Sequence, residues 1–496
     1  FAATALTFEE VDTDGDGLCD LAEDVFGSDK LDPGSRKERL KSPIYLLWNG
    51  FLSIRNIIEI VNKDFAAKSV TLSLYDISGN LVSTLPLTLN ARGQRDVILN
   101  DLPGFTPNSY GLVGITFDAE AEGLIDGRIS YYRDSATAGE FEFAFAVPFG
   151  DPAQGTTAVG FNTFQPSNDP TESAHLVSQW LSIVNLNQSA SKSFTGRRYG
   201  MAGEFLTEVR LDIPPFGRRD IEGGHENPGP QRVGLNVIVP DDATSPYIGH
   251  LYRYGGRAGP GEAVTSYRFA FPLIARSGSG GKLRTSISSG AGASNWVEIA
   301  NASSQAISAD VRFYSNTGQL LASQALSLGP FAQQHLDASS LLSAGASGAV
   351  EIESSSVGSL LGQSMFYFRE PSRGQILGMY GAPLQMIFGR RLLGSYNLFL
   401  GMYNWLRISN GGDSALNVNL SVFSPLGSEN SRSLSLPAHS GTDLGLHESS
   451  NFGTSPNTYG VIELTPESAG KLHAEILRIK PRADGLTDFV APTAVR

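Results

Sequence analysis

One strand-like heptad occurs four times in the 496-residue chain: NIIEIVN ending at Asn62, QWLSIVN at Asn185, NWVEIAN at Asn301 and NWLRISN at Asn410. The copies lie 123, 116 and 109 residues apart. A chain that repeats itself at such an interval folds as a series of similar units, each with the same order of elements. Ile58, Leu181, Val297 and Leu406 share one position, and Ile60, Ile183, Ile299 and Ile408 the position two further on. Alternation with period two is the mark of a strand with one buried face. Ile57, Trp180, Trp296 and Trp405 fall on the opposite face, and the closing Asn suits a turn.

The match continues downstream. An aromatic residue follows each Asn by 13 or 14 positions (Tyr75, Tyr199, Tyr314, Phe423), and four residues later comes Gly79, Gly203, Gly318 or Gly427. This reads as a strand, a tight turn that needs glycine, and a returning strand. LTLNARGQRDV, LDIPPFGRRDI, LSLGPFAQQHL and LSLPAHSGTDL then read as strand, corner and strand. A further strand (YGLVGITF in the first copy) and an aromatic strand holding Tyr131, Tyr252 and Phe366 complete each unit, the fourth copy weakening to EILRIK. About seven short strands in roughly 110 residues is the size and rhythm of an antiparallel sandwich. The expected fold is all-β: four tandem antiparallel Ig-like β-sandwich units at 42–150, 151–276, 277–385 and 386–496, behind a short N-terminal calcium-loop segment at 1–41. The second unit departs most, with the insertion QPSNDPTESAH and glycine-rich loops near 223–229 and 255–261, which suit either recognition or a tolerated surface insertion.

The N-terminal segment carries DTDGDGLCDLAE, five carboxylates in twelve residues. Asp12, Asp14, Asp16, Leu18, Asp20 and Glu23 fall at positions 1, 3, 5, 7, 9 and 12 of a Ca2+ loop, with Gly17 at the sharp turn. Leu18 offers its carbonyl, Asp20 binds directly or through water, and Glu23 closes the site with two oxygens. The run from Asp12 to Pro33 resembles the calcium repeats of the thrombospondin type 3 kind, here in a single copy. The resemblance implies ligation by these residues, with Asp29 and Asp32 as further candidates, and a spacer role at a bacterial surface. The sandwich units are similar to the Ig-like repeats of secreted bacterial proteins.

Composition narrows the function. A net charge of −13 without a broad basic face argues against a nucleic-acid partner. The pairs Arg197/Arg198, Arg218/Arg219 and Arg390/Arg391 are expected on solvated faces or linkers. Cys19 is the one cysteine, so no intrachain disulfide forms, and a packed apolar thiol is expected there. The most apolar stretch, 386–405, is broken by Arg390, Arg391 and glycines, so no membrane span is expected. A removed signal peptide is the expected reason for a chain that begins at Phe1. No catalytic motif is complete: HENPG at His225 lacks the second histidine of a zincin, and GQSMF at Ser364 lacks the closing glycine of a nucleophile elbow. Asp241/Asp242 read as turn formers.

The expected function is therefore that of a non-enzymatic extracellular structural protein. It would be a self-associating subunit of a bacterial surface filament, sheath or layer, with copies of itself as partners and Ca2+ stiffening the N-terminal joint. The alternative is a secreted adhesin or carbohydrate-binding accessory protein that meets a cell-surface glycan through its loops. PIYLLWNGFLSI and LLGSYNLFLGMYNWL, unusually greasy for exposed strands, suit either strand exchange between subunits or ordinary core strands.

Overall fold

A computed structural model describes residue 13 and residues 40–494, except 165–174, 230–231, 258–265, 280, 355–358, 370–375, 387–391, 425–428, 468–470 and 482–486. The calcium-loop residues Asp12, Asp14, Asp16, Leu18, Asp20 and Glu23 lie outside the described residues, as does most of the QPSNDPTESAH insertion.

Unit 1 sets the pattern. Its strands are β1 (Ile44–Asn49), β2 (Arg55–Asn62), β3 (Lys68–Tyr75), β4 (Leu81–Leu89), β5 (Gln94–Ile98), β6 (Tyr110–Phe117), β7 (Ile125–Asp134) and β8 (Phe141–Pro148). They form two antiparallel sheets, ordered β1-β6-β3-β4 and β5-β2-β7-β8. The pairs β2–β5 and β3–β6 interlock across the two sheets as in an Ig-like Greek key. Units 2, 3 and 4 repeat both orders strand for strand, and unit 3 adds Gln385–Met386 beside its first strand. Each unit thus has eight main strands where the sequence suggested about seven. The additional one is the first: Leu46, Leu47 and Trp48 are all buried, and a strand covered on both sides shows no alternation to read. Its counterpart residues Leu392, Leu393 and Tyr396 are buried as well, so the first part of each greasy segment is a core strand, while Phe51, Phe399, Leu400 and Tyr403 beyond it are exposed.

The period-two reading places the core correctly. Ile58, Leu181, Val297 and Leu406 are buried between the sheets, as are Ile60, Ile183, Ile299 and Ile408. The four closing asparagines are buried too and act alike. Asn62 Nδ2 donates to the carbonyls of Ala66 and Asn90 at 2.8 and 2.9 Å, and Asn301 Nδ2 to those of Gln305 and Gly329 at 2.6 and 2.9 Å. Asn185 and Asn410 make the matching bonds. Each Oδ1 accepts the amide two residues on, so one side chain ties the strand end to two loops.

The units are tandem in sequence but form a closed ring in space. β8 packs against the eighth strand of unit 2 (Ser266–Ile274). That strand packs against the eighth of unit 3 (Ile376–Pro383), which meets that of unit 4 (Thr487–Ala494), and the last returns to β8. The eighth strand is a sheet edge in every unit, and each carries a proline: Pro148, Pro272, Pro383 and Pro492. Closing the ring hides four edges that would otherwise template strand addition, and proline removes a donor from each. A cavity of about 760 Å3 lies beside this centre, lined by Pro148, Leu273, Pro383 and Glu475 among others. Among the described residues no helix is long and apolar enough to cross a membrane.

Candidate functional site

The residues that resembled fragments of catalytic motifs serve the fold. His225 Nδ1 accepts the Gln179 amide at 3.1 Å, and its ring meets Trp180 edge-on. Ser364 is fully buried and accepts from Asn295 Nδ2 at 2.8 Å. Asp242 accepts the Thr244 amide and hydroxyl and the Ser245 hydroxyl, closing a turn as its sequence context suggested. Among the described residues no group of three or more His, Cys, Asp or Glu side chains is placed to hold a metal ion.

The buried chemistry lies at the junctions between units, each built from two repeated contacts. In the first, the turn between strands three and four meets the corner between strands four and five of the next unit. The aromatic near the end of strand three packs on a corner residue: Tyr75 on Phe216, tilted, and Tyr199 on Phe331 and Tyr314 on His439, stacked, with centroids 5.0, 4.3 and 4.5 Å apart. At the fourth junction the Arg92 guanidinium lies 5.2 Å from the Phe423 ring. Arg92, Phe216, Phe331 and His439 all hold φ between 52° and 55°, a left-handed conformation costly for bulky side chains and typical of sites held by their surroundings. Backbone bonds of 3.0–3.1 Å run from Arg218, Gln333 and Gly441 to the turn carbonyls of Ile77, Met201 and Asn316. The turn glycines do more than the turn requires. A Cβ on Gly79, Gly203 or Gly318 would fall 1.9, 2.1 or 2.2 Å from a carbonyl oxygen of the neighbouring unit's corner.

The second contact centres on the polar residue in the middle of each heptad: Glu59, Ser182, Glu298 and Arg407. By the alternation they lie on the face away from the core, yet Glu59, Ser182 and Glu298 are buried and the Arg407 side chain is 13% exposed. Residues of the preceding unit in the ring reach Glu59, Glu298 and Arg407 directly, and Ser182 through Arg218. Glu59 takes Arg128 Nε at 2.9 Å and Ser130 Oγ at 2.6 Å within unit 1. It also takes both terminal nitrogens of Arg478 from unit 4, at 3.0 and 3.1 Å. Burial opposes ionisation of Glu298, but the charges of His335 and of Arg253 from unit 2 outweigh it and hold the carboxyl below its ordinary range. Arg407 lies 3.6 Å from Glu475 within unit 4, 3.4 Å from the Tyr380 hydroxyl of unit 3, and over the Phe366 ring of unit 3. Ser182 accepts Arg218 Nη2 at 3.0 Å, while Arg218 Nη1 donates to the Trp48 carbonyl of unit 1 at 2.9 Å.

Arg198 and Arg218, expected on solvated faces, are thus buried. Each is held by carboxylates and carbonyls, Arg218 by Asp220 at 2.7 and 2.8 Å and Arg198 Nη2 by the Glu222 carbonyl at 2.7 Å. Two histidines are buried beside the arginines of these junctions. Burial, reinforced by Arg218 for His250 and by Arg284 for His473, pushes both imidazoles down to about 3.

The four junctions share geometry and differ in chemistry. The first is aromatic with an arginine on a carbonyl, and the second stacks aromatics beside Arg253 and Glu298. The third joins cation–π contacts to Arg284, whose Nε donates to Ser409 of unit 4 at 3.0 Å. The fourth is ionic at both contacts, since Arg92 Nη1 also reaches Glu463 of unit 4 at 3.1 Å. The chain's short connections set the order of the units, and each junction's chemistry matches the neighbour so placed. The sequence carried a trace of this: two heptad positions change character from copy to copy, the middle one (Glu59, Ser182, Glu298, Arg407) and the sixth (Val61, Val184, Ala300, Ser409), and residues at both meet another unit.

No protein-family model matches the chain, and no curated protein matches it. Among solved structures, the chain is similar to a tetra-tandem repeat in the extending region of a large adhesion protein. The identity is 10%, the match covers 90% of this chain and 95% of that one, and the TM-score is 0.11. At that score the likeness carries no argument about fold or role.

Proposed function

We propose that the chain is a non-enzymatic extracellular structural protein, a rigid four-unit block that associates with copies of itself in a bacterial surface filament, sheath or layer. The repeated junction carries this reading. It commits buried charged groups of every unit, among them Glu59, Arg218, Arg284 and Arg478, to joining units, which suits a structural element. The outer edge strands offer the means of association. Leu81, Phe205 and Leu320, at one equivalent position, open their fourth strands at 55%, 57% and 50% exposure. Edge strands led by exposed apolar residues are templates for pairing. Ca2+ would bind Asp12, Asp14, Asp16, Leu18, Asp20 and Glu23 and stiffen the N-terminal segment.

Negative-stain microscopy with Ca2+ and with chelator tests the proposal. Ordered assemblies support it; isolated particles in both conditions, together with binding on a glycan array, would overturn it in favour of the adhesin. Calorimetric Ca2+ titration of Asp12→Ala/Glu23→Ala tests the loop, and unchanged binding would refute the assignment.

A further inference from the structure

The junction between units 4 and 1 stands apart. The other three are each spanned by a short connection: 149–156 from unit 1 to 2, 275–280 from unit 2 to 3, and 387–391 beyond the Gln385–Met386 strand from unit 3 to 4. Units 4 and 1 share no such short connection; among the described residues they meet through side chains and through the packing of their eighth strands. Both contacts there include an ion pair, Arg478 with Glu59 and Arg92 with Glu463, beside the Arg92–Phe423 ring contact and apolar packing of Met402 with Tyr132 and Phe141 and of Val61 with Leu393, Phe423 and Val461. The two faces differ and are complementary, so the interface is heterologous, and such an interface either closes a ring or runs on from one molecule to the next.

We propose that the unit 4 face is also a docking surface for unit 1 of a second copy, so that the chain exchanges its closing junction between molecules. The proposal rests on the self-assembly reading and names the interface. A chain whose ring has opened carries a matching face at each end. Every contact described between Arg478 and Glu59, and between Arg92 and Glu463, can be remade in trans without any new surface. Closure within one chain wins in dilute solution, because the linked units meet at an effective concentration in the millimolar range for short flexible tethers. At a crowded surface, or during concerted folding of many copies, the exchanged form competes.

Charge exchange tests this directly. Arg92→Glu sets two carboxylates against each other when the ring closes, and Glu463→Arg sets two guanidiniums. Each variant alone is expected to open its ring and to remain monomeric, since a second identical copy presents the same clash. An equimolar mixture is different. The new carboxylate of the Arg92→Glu chain meets the new guanidinium of the Glu463→Arg chain at one junction, while the unaltered Arg92 and Glu463 meet at the other. Light scattering on a sizing column should then give a 1:1 dimer at twice the chain mass of 52.9 kDa. The double variant in one chain, Arg92→Glu/Glu463→Arg, should return to a compact monomer and shows that both substitutions fold. A mixture that stays monomeric while the single variants are open would overturn the proposal, as would single variants as compact as the parent chain. The assembly reading fails separately: dimers from the mixture with no assembly of the parent chain refute the filament and leave the exchange intact. Assembly that persists when units 1 and 4 are cross-linked within each chain refutes the exchange and leaves the filament intact.

Discussion

Arg478→Gln should weaken unit 1, although the substitution lies 419 residues from Glu59. Both side chains are almost wholly buried, 3% and 2% exposed. Removing one partner of a buried ion pair costs about 3–5 kcal/mol, because the survivor keeps its desolvation penalty. Glu59 retains Arg128 and Ser130, which places the loss near the lower end, at about 3 kcal/mol or two powers of ten in the folding equilibrium. The four tryptophans, Trp48, Trp180, Trp296 and Trp405, fall one to a unit, so each unit reports for itself when the other three are replaced by Phe. With Trp48 as the sole reporter, urea unfolding should shift its midpoint down by roughly 1–2 M in Arg478→Gln. Glu59→Gln should give a larger shift, and the double variant less than the sum, since either change alone strands a buried charge. A Trp48 midpoint that does not move in Arg478→Gln, while that of Trp405 does, would show that units 1 and 4 fold independently and would refute the ring.

Acid should loosen the molecule through His250 and His473. Their folded values near 3 lie below the unfolded value of about 6.5, so the unfolded chain binds protons that the folded one refuses. Stability is therefore full above about pH 6.5 and falls below it, by about 4 kcal/mol for the two between about pH 7 and pH 5. Urea midpoints at the two pH values should differ less in His250→Gln/His473→Gln than in the parent. Asn301→Ala removes bonds to buried carbonyls and should lower the stability read by Trp296 by about 2–4 kcal/mol. Gly203→Ala and Gly139→Ala share a positive φ, +87° and +82°, but only the first would drive a Cβ into the next unit. Thermal unfolding should show about 1 kcal/mol of backbone strain for Gly139→Ala and at least ~3 kcal/mol for Gly203→Ala.

Much of each unit was legible because one face of each strand alternates cleanly. Ile58 and its three counterparts, the closing asparagines and the turn glycines Gly79, Gly203 and Gly318 all stand where the repeat put them. The first strand escaped the count because Leu46, Leu47 and Trp48 are covered on both sides and carry no period. The ring escaped for a different reason. Burying Glu59, Glu298 and Arg478 requires partners far along the chain or in another unit, and a local pattern of charges reads as a wet surface. The same holds for Arg92 and His439, polar residues in left-handed corners whose strain is offset only by the neighbouring unit.

Small-angle X-ray scattering of the purified chain tests ring closure most directly. A compact chain of 496 residues has a radius of gyration of about 23 Å, and the closed ring should fall close to it. Four units laid end to end, each at least one eight-residue strand long, extend beyond about 100 Å and give about 30 Å or more. A value near the first supports the closed ring of four sandwiches, and a value near the second contradicts it.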